Sequence, residues 1–267
     1  MIQRKRPVPP QPGHSSLAQR LAAGALGLAF ALIAWQLLSA STGSSLILPF
    51  PAEVLTSLGT LLGSMTFWRA VLGSFSRVLI AFFLSIALGS ATGGAAGMSP
   101  TFRNFLSPLL TTIRATPVLA LILVAMFWLP SSAVPIFSAF LMAYPIIHTS
   151  TCTGFLSVDS DLLEMSSVFK VPRSVVFFRL RLPSARGHFL AGVKNSLGLC
   201  WKVVVAGEVL SQPAFALGTG LQDARLSLET AGVLAWAVAT VFLCGVSEFL
   251  LGLAVRRFGA VRAGGAE

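Results

Sequence analysis

Long apolar stretches, separated by short polar segments, set the pattern of this chain. Each of the longest stretches has about 20 residues, the length that an α-helix needs to cross the hydrocarbon core of a bilayer. A charge-free region from residue 115 to 158 is too long for one span, and prolines at 130 and 135 divide it. Arg114, Thr116 and Pro117 predict a kinked start to the third span. The pattern indicates an all-α, polytopic membrane protein with six spans, at residues 21–39, 78–97, 106–129, 133–150, 190–209 and 230–255.

Two shorter patterns add detail to the first half of the chain. Apolar residues recur at helical spacing over residues 54–65, and Pro51 suits a helix start. A short amphipathic helix on the membrane surface is therefore predicted. Gly89, Gly93 and Gly97 follow one another at intervals of four at the end of the second span. Small residues on one face let helices approach closely in lipid, so this face is predicted to pack against another span.

Composition agrees with this picture and narrows the class of protein. Hydrophobic types make up 55% of the 267 residues, charged types only 10%, and the mean hydropathy is +0.82. A soluble domain carries about 25% charged residues, so an ordinary soluble enzyme is excluded. The net charge of +10 does not indicate nucleic-acid binding, because basic residues are not interleaved with aromatic ones. The three cysteines show neither metal-ligand spacing nor a disulfide framework.

The distribution of basic residues indicates how the spans are oriented. With the N-terminus in the cytoplasm, 13 of the 19 Lys and Arg residues fall in cytoplasmic segments and two in outer loops. This asymmetry follows the positive-inside rule and predicts that both termini are cytoplasmic. The chain then has a basic cytoplasmic tail at 1–20, a transmembrane domain at 21–255 and a second tail at 256–267. A signal peptide is the alternative for the first span, although its apolar stretch exceeds the usual signal core.

The longest polar segment between spans covers residues 151–188 and is cytoplasmic in this topology. Its pattern predicts a short amphipathic helix at 161–169 and, because Pro172 favours a new start, a second helix at 173–180. Two short helices with exposed apolar residues form a docking surface for another protein. The five basic residues of the segment leave open the alternative of a loop held by lipid headgroups.

The spacing within residues 164–183 is more specific than any single residue. Its fixed positions are Glu164, Met165, Ser166, Lys170, Leu180, Leu182 and Pro183. The segment resembles the EAA loop of binding-protein-dependent ABC importer permeases, which has Glu-Ala-Ala, three residues, Gly, nine residues and Ile-x-Leu-Pro. Lys170 stands at the Gly position, where the family has the residue that best tolerates a left-handed backbone. Either the turn or the ATPase partner is therefore expected to differ.

Further motifs extend the likeness over residues 48–252. They are 48–51 (Leu-Pro-Phe-Pro), 114–117 (Arg-Ala-Thr-Pro), Trp128, 203–208 (Val-Val-Val-Ala-Gly-Glu) and 218–221 (Gly-Thr-Gly-Leu). They look like the branch of the family that imports nitrate, sulfonates, taurine and related small molecules. The resemblance implies a type I ABC importer permease, a multi-pass protein of the bacterial cytoplasmic (inner) membrane.

The same resemblance implies the partners. A permease of this family works as a dimer, here expected to be a homodimer. An ABC ATPase subunit dimer binds its cytoplasmic loops, and an extracytoplasmic substrate-binding protein delivers the solute. The chain has no GxxxxGK[ST] phosphate loop, so ATP-Mg is expected to act only through the partner ATPase, and the chain is not an enzyme. The implied ATPase-docking residues are Asp161, Glu164, Met165, Ser166, Phe169, Lys170, Pro172, Leu180, Leu182 and Pro183.

Polar residues inside the spans are candidates for the translocation path, because a charge in the membrane is costly and normally faces a cavity or a partner. The candidates are Arg114, Thr116, Lys194, Trp201, Lys202 and Glu208. Lys194, Trp201 and Glu208 lie seven residues apart and are predicted to share a helix face. Lys202 lies on an adjoining face, where it could sense a small anion. The alternative is that neighbouring helices or the membrane interface satisfy these charges.

The leading hypothesis is the permease subunit of an ATP-driven importer, which moves a small organic or inorganic anion into the cytoplasm by alternating access. The alternative is a secondary transporter driven by an ion gradient, which would predict related halves and broken helices at the midplane. No convincing internal repeat is present. A third class, an intramembrane enzyme, is disfavoured because the chain lacks an HExxH motif and paired carboxylates within the spans.

Overall fold

Helices joined by short loops make up the part of the chain that the structure describes. The computed structural model describes residues 17–260, so most of the predicted tail at 1–20 and part of that at 256–267 lie outside the described residues. Between residues 17 and 260 every regular element is helical, which confirms the all-α prediction. The elements are α1 (Leu17–Thr42), α2 (Pro51–Leu62), α3 (Met65–Met98), α4 (Pro100–Ala115), α5 (Val118–Ala125), α6 (Val134–Leu156), α7 (Ser160–Val168), α8 (Arg173–Val176), a π-helical turn (Phe177–Arg181), α9 (Leu182–Ser211), α10 (Leu217–Leu226) and α11 (Thr230–Ala260).

Within residues 17–260, five helical segments are long and apolar enough to cross a membrane: α1, α3, α6, the continuous stretch from α8 through α9, and α11. The predicted span at 106–129 is formed by two helices, α4 and α5, which are long and apolar enough only together and are bent by 96° relative to each other. Counted as one broken span, the pair brings the total to the predicted six. The bend falls at Thr116, whose backbone is extended (φ −74°, ψ 125°), next to Pro117. Proline disfavours a helical conformation in the residue before it and has no N–H to donate. The predicted kink at Pro117 is therefore present, but it divides the segment into two helices.

Three helices, α3, α6 and α9, form the centre of the bundle. Val78 of α3 and Ile147 of α6 are completely buried in their shared core. Glycine lets α3 lie directly on α6, since a Cβ at Gly89 would be only 2.7 Å from the Cβ of Ile147. Gly93 and Gly97 are equally close to α6. The prediction that this glycine face packs against another span is confirmed, and the partner span belongs to the same chain.

The first helix is joined to the loop before α2 by side chains near its C-terminal end. Most of its side chains between residues 22 and 38 are exposed. Trp35 Nε1 donates a hydrogen bond to the carbonyl of Pro49 (3.1 Å), and Ser39 Oγ donates to that of Leu48 (2.7 Å). These bonds fix the loop that leads into α2, while the apolar surface of α1 stays available to lipid or to another chain.

The predicted amphipathic helix at 54–65 corresponds to α2, which begins at Pro51 and ends at Leu62. The side chain of Glu53 accepts a hydrogen bond from the N–H of Phe50 (3.0 Å), a capping arrangement that stabilises the helix start. Ser64 then caps α3, which begins at Met65, well before the predicted start of the second span at residue 78. The prediction missed this start because it used uncharged stretches, and Arg69 and Arg77 lie within the first part of α3.

The second loop helix and the fifth span are one continuous structure. The prediction of a separate helix at 173–180 and a span that starts at residue 190 is wrong, because α8 passes through the π-helical turn into α9 without a break. The N–H of Leu182 bonds to the carbonyl of Phe177, five residues back. This wider turn falls immediately before Pro183, which has no N–H to donate, and so lets the helix continue past the proline.

Candidate coupling loop and polar clusters of the bundle

The loop helix α7 presents apolar side chains to the outside of the protein. Its first turn is capped by Asp159, whose carboxylate accepts a hydrogen bond from the N–H of Asp161 (3.0 Å). None of its residues is buried. Met165 is 53% exposed, Val168 75% and the adjoining Phe169 73%. Contiguous exposed apolar side chains of this kind mark a contact with another protein or with a membrane.

The end of α7 is a tight turn in which Lys170 adopts a left-handed conformation (φ 50°). The N–H of Lys170 bonds to the carbonyl of Ser167 (3.1 Å), and the N–H of Val171 bonds to that of Ser166 (2.9 Å). This pair of bonds is the Schellman motif, which usually has glycine at the left-handed position. The turn that glycine usually forms is therefore present with lysine at position 170. Of the two expectations drawn from Lys170, a different turn is not observed. A side chain in this conformation costs about 1 kcal/mol relative to glycine.

An apolar cavity of about 380 Å³ lies between α7 and α8. Leu162, Met165 and Phe169 line it from the side of α7, and Val175 and Leu180 line it from the other side. The cavity opens beside the exposed side chains of α7. Together they form one continuous apolar surface on the loop.

A second cavity of about 610 Å³ lies where the loop meets the end of α3. Its lining includes Met98 of α3 and three basic residues of the loop, Lys170, Arg173 and Arg181. The guanidinium of Arg181 also donates to the carbonyl of Gly97 (3.5 Å) and so ties the π-helical turn to α3. The loop thus has an apolar side and a basic side.

The structure places the predicted docking residues on this one loop. The exposed members are Asp161, Glu164, Met165, Phe169, Lys170, Pro172, Leu182 and Pro183, and the half-buried members are Ser166 and Leu180. Ser166 donates its hydroxyl hydrogen to the carbonyl of Leu163 (2.7 Å), as a residue inside a helix does. Leu182 and Pro183 begin α9, so they lie on the helix that leads into the bundle.

A buried ion pair joins α3 to α9 at the opposite end of the bundle from the loop. Arg77 Nη1 lies 3.0 Å from Glu208 Oε1, and the side chain of Glu208 is fully buried. Glu208 Oε2 accepts hydrogen bonds from Ser74 Oγ (2.8 Å) and from the N–H of Gly218 (3.1 Å). Arg77 also donates to the carbonyls of residues 214 and 215, at 3.0 and 3.3 Å. The network fixes the connection between α9 and α10 against α3.

The end of α4 is linked to α6 through Arg114. Its guanidinium donates to the carbonyl of Pro145 (3.2 Å) and to Thr149 Oγ1. Next to Thr149, His148 is buried and shares a hydrogen bond with Thr92 Oγ1 of α3 (2.9 Å between Nδ1 and Oγ1). Polar side chains from α3, α4 and α6 therefore meet beside the bend that Thr116 introduces between α4 and α5.

The four path candidates on α9 divide between the core and the surface. Trp201 and Glu208 are 1% and 0% exposed, whereas Lys194 and Lys202 are both exposed. Of the three residues predicted to share a face, Trp201 and Glu208 are therefore buried in the bundle, and Lys194 is exposed. The ring of Trp201 lies 6.2 Å from that of Phe75 between centroids, and its indole N–H has no hydrogen-bond partner among the residues described.

Glu248 of α11 is a charged residue of the spans that the sequence did not assign to a site. A Cβ at Gly198 of α9 would overlap the carboxylate of Glu248, so this carboxylate rests on α9 at that position. Gly198 is four residues from both Lys194 and Lys202 and lies on the same helix face. The carboxylate of Glu248 therefore rests on α9 at a position midway in the sequence between two lysines. The interval of eight residues between Lys194 and Lys202 was the sequence signal that could have indicated this face.

Comparison with known proteins gives consistent likenesses. The family model described as binding-protein-dependent transport system inner membrane component matches residues 84–260. The chain is 28% identical over 228 residues to the taurine transport system permease protein TauC of Escherichia coli, covering 83% of this chain and 81% of that protein. It is 30% identical over 233 residues to a probable ABC transporter permease protein of Brucella melitensis, covering 87% and 90%. It is 30% identical over 199 residues to the nitrate import permease protein NrtB of a Synechocystis species, covering 70% of each.

Solved structures show the same architecture. A chain of the MetNI methionine ABC transporter, in inward-facing conformations, superposes with a TM-score of 0.61 at 16% identity, covering 72% of this chain and 95% of that one. A chain of an amino acid ABC transporter with histidines gives a TM-score of 0.56 at 17% identity, covering 71% and 94%. At such low identity the likeness concerns the fold, which is that of type I ABC importer permeases.

Proposed function

Because this chain belongs to the family of binding-protein-dependent transport system inner membrane components, we propose that its α6–α9 loop is the docking site of the ATPase that drives transport. The chain is the permease subunit of an ABC importer and a multi-pass protein of the inner membrane. The ATPase of such an importer is a separate subunit, in keeping with the lack of a GxxxxGK[ST] phosphate loop in this sequence. Membership of this family leaves no support for a secondary transporter driven by an ion gradient.

The exposed apolar face of α7 is the observation that carries the docking proposal. Val168 and Phe169 are about three-quarters exposed, and apolar area left in water costs about 25 cal/mol per Å² relative to burial. A short helix that presents such a face suits a hydrophobic cleft in a partner protein. The turn at Lys170 also supports the proposal. It joins α7 to α8, so the two short helices predicted from the spacing of residues 164–183 follow each other directly.

The continuous helix from α8 through α9 supports a mechanical role for the loop. A partner that grips α7 and α8 also grips the helix whose far half carries Trp201 and Glu208 in the core. Closure of the ATPase around ATP-Mg would then move α9 as a rigid body and alternate the access of the path. A switch from 1:99 to 99:1 between two conformations needs about 5.5 kcal/mol of differential binding, which nucleotide binding by the ATPase could supply.

The charges of the bundle support a small anion as the solute, of the taurine, sulfonate or nitrate type. Arg77 and Glu208 neutralise each other, and the charged path candidates that remain are cationic. They are Arg114, Lys194 and Lys202, and the carboxylate of Glu248 rests on Gly198, midway in the sequence between the two lysines. We assign Lys202 as the residue that senses the anion. Thr116, at the bend next to Arg114, offers a hydroxyl to the same path.

The proposal includes three further features of the assembly. A second copy of the chain completes the permease as a homodimer, for which the exposed apolar surfaces of α1 and α11 provide area. An extracytoplasmic substrate-binding protein delivers the solute at the end of the bundle that holds Arg77 and Glu208. Both termini and the α6–α9 loop lie in the cytoplasm, in accordance with the distribution of basic residues.

Co-purification of the full permease with its ATPase subunits tests the docking. The double variant Val168→Ser and Phe169→Ser removes the apolar face of α7 and should abolish capture of the ATPase. The control is Leu226→Ser with Leu228→Ser, because these side chains are 67% and 75% exposed at the other end of the bundle. The control should retain the ATPase. Equal capture by both double variants would contradict the docking site.

Uptake into vesicles tests the energy source and the solute. Labelled taurine, an alkanesulfonate and nitrate are offered to the complete assembly with its binding protein. Uptake should require ATP and stop when the ATPase is inactivated. Uptake that survives this inactivation and collapses with the ion gradient would contradict the coupling, and uptake of cations in preference to anions would contradict the assigned solute.

A further inference from the structure

The cavity of about 610 Å³ between the loop and the end of α3 has positive charge without a counter-charge in its lining. Lys170, Arg173 and Arg181 line it, and no Asp or Glu is among its lining residues. Residues 165–207, which include most of this lining, contain no acidic residue at all. We refer to this space as the basic cavity.

Two of the three cations have no partner in the protein. Among the residues that the structure describes, the side chains of Lys170 and Arg173 form neither an ion pair nor a hydrogen bond. Arg181 is already engaged, because its Nη1 donates to the carbonyl of Gly97 (3.5 Å). Arg181 therefore contributes its positive charge to the cavity, while Lys170 and Arg173 have N–H groups that are open to a ligand.

The hydroxyl groups that line the basic cavity do not compete for the same role. Ser166 donates its hydroxyl hydrogen to the carbonyl of Leu163 (2.7 Å), and Ser167 donates to that of Glu164 (2.8 Å). The side-chain donors that remain belong to cations, and such donors bind most strongly to acceptors that carry a negative charge. The ligand that satisfies them has an oxyanion group, such as a phosphate or a sulfonate.

The rest of the basic cavity is largely apolar. Met98 of α3, Leu163 of α7 and Phe177 of the π-helical turn are among its lining residues. A volume of about 610 Å³ is within the range of sites that hold small organic molecules, and an oxyanion alone would leave most of it unfilled. The cavity therefore fits an anion that also has a short apolar part.

The backbone at Lys170 is a separate indication that its side chain has a use. Lys170 is in the left-handed conformation (φ 50°), which costs more free energy with lysine than with glycine. Residues held in such conformations are frequently found at functional sites. Glycine would form this turn more easily, but it would leave the basic cavity without one of its two unpaired cations.

We propose that the basic cavity binds a small soluble organic anion with one phosphate or sulfonate group, held by Lys170 and Arg173. The bound anion would join the end of α7 to the start of α8 and so stiffen the turn between them. Binding does not depend on the proposed function, whereas any effect of the anion on coupling rests on ATPase docking at this loop. The two head groups have different sources, since a sulfonate is of the type proposed as the transported solute and a phosphate ester is not.

Calorimetric titration of the full permease in phosphatidylcholine nanodiscs tests the site, with empty nanodiscs as the blank. The probes are hexanesulfonate and hexyl phosphate, which distinguish the two sources, together with inorganic sulfate and hexanol. We expect one site per chain for at least one of the two hexyl anions and no measurable site for hexanol. Inorganic sulfate should bind at least about tenfold more weakly, because it lacks the methylene groups that fill the apolar part.

Variants of the loop separate this site from a general attraction of anions to a basic surface. Lys170→Gly and Arg173→Gln should each weaken binding by about threefold to tenfold, because each removes a charge-assisted hydrogen bond. The matched control is Arg179→Gln, which should leave binding unchanged, since Arg179 is on the same loop but lines the apolar cavity between α7 and α8. Saturation with the hexyl anion that binds should slow hydrogen exchange at the amides of Lys170 and Val171 in the unaltered protein. In Lys170→Gly, the same addition should leave exchange at the turn unchanged.

Three outcomes would overturn the proposal. Equal weakening by Arg179→Gln would show a general electrostatic effect, and equal binding of hexanol would show that the cations take no part. Binding that disappears in nanodiscs with phosphatidylglycerol would show that lipid headgroups, not soluble anions, occupy the basic cavity. Capture of the ATPase is measured on the same samples. Its absence from the unaltered protein would count against the proposed function alone, and absence of anion binding with normal capture would count against the basic cavity alone.

Discussion

Arg77 of α3 and Glu208 of α9 face each other inside the protein, 3.0 Å apart between Nη1 and Oε1, although 131 positions separate them in the chain. The side chain of Arg77 is 11% exposed and that of Glu208 is fully buried. The second carboxylate oxygen is satisfied by Ser74 and by the N–H of Gly218. The pair therefore fixes two core helices and the start of α10 in one arrangement.

Removal of both members of this pair should cost less than the sum of the two single removals. Arg77→Met leaves the buried carboxylate of Glu208 without its counter-charge, and we expect a loss of about 3 to 5 kcal/mol in the free energy of unfolding. Glu208→Gln keeps the hydrogen bonds to Ser74 and Gly218, so the double variant should lose less than the sum of the two single variants. Unfolding in detergent, followed by loss of helical signal, measures all three.

The control for this cycle is Arg225→Met, since Arg225 is an exposed basic residue of α10. It should change the free energy of unfolding by no more than about 0.5 kcal/mol. Strict additivity of Arg77→Met and Glu208→Gln would show that the two charges do not interact in the membrane-embedded protein.

Glycine at position 170 should stabilise the α6–α9 loop. Lys170 has a positive φ of 50°, and its replacement by glycine removes a steric cost of about 1 kcal/mol. Hydrogen exchange at the amides of Lys170 and Val171, which close the turn at the end of α7, should slow in Lys170→Gly. The same change at Lys194, inside α9, should instead destabilise its helix by about 1 kcal/mol. Faster exchange at the turn in Lys170→Gly would contradict the left-handed assignment.

Hydropathy was sufficient to predict the helical class and most of the spans, because burial in lipid demands long apolar helices whatever their contacts. The glycine face of α3 was also predictable, since residues at intervals of four lie on one side of a helix and only small ones permit close approach. The start of α7 could be predicted from Asp159 and Asp161, which suit the positive end of a helix. These features depend on residues that are near each other in the chain.

The features that were missed depend on contacts between residues far apart in the chain, or on positions where the residue type disfavours the conformation it adopts. The partner of Glu208 could not be identified, because Arg77 is one of several basic residues and nothing local favours it. The continuity of α8 and α9 was hidden by Pro183, which ordinarily ends a helix and is tolerated here after a π-helical turn. At Lys170 the residue type favours the wrong conformation, and the two hydrogen bonds of the turn outweigh that preference.

Two neighbouring glycines of α3 should respond in opposite ways to the same substitution. A Cβ at Gly93 would overlap the carbonyl oxygen of His148 and lie 2.9 Å from the Cβ of Thr151, so Gly93→Ala must push α3 away from α6. A Cβ at Gly94 meets only the ring of Phe155, at 3.6 Å. We expect Gly93→Ala to lower the free energy of unfolding by about 1 to 3 kcal/mol.

The same measurement on Gly94→Ala supplies the control. Its free energy of unfolding should rise by as much as about 1 kcal/mol, because alanine is the better helix former and finds space there. Equal destabilisation by the two alanines would contradict the tight packing of α3 on α6 at Gly93.

The lysine face of α9 should determine how tightly the permease recognises its anion. If Lys202 senses the solute, Lys202→Gln removes a charge-assisted hydrogen bond and should raise the concentration for half-maximal ATP-driven uptake about tenfold. Lys202→Arg keeps the charge and should have a smaller effect.

Glu248 lies against Gly198 on the same face and opposes an incoming anion, so Glu248→Gln should lower that concentration. ATPase capture serves as the control and should stay unchanged in all three variants, because these residues lie outside the loop that we propose as the docking site. Uptake that is the same in Lys202→Gln as in the unaltered protein, with capture intact, would remove Lys202 from the path and leave its charge with a role in packing against α11.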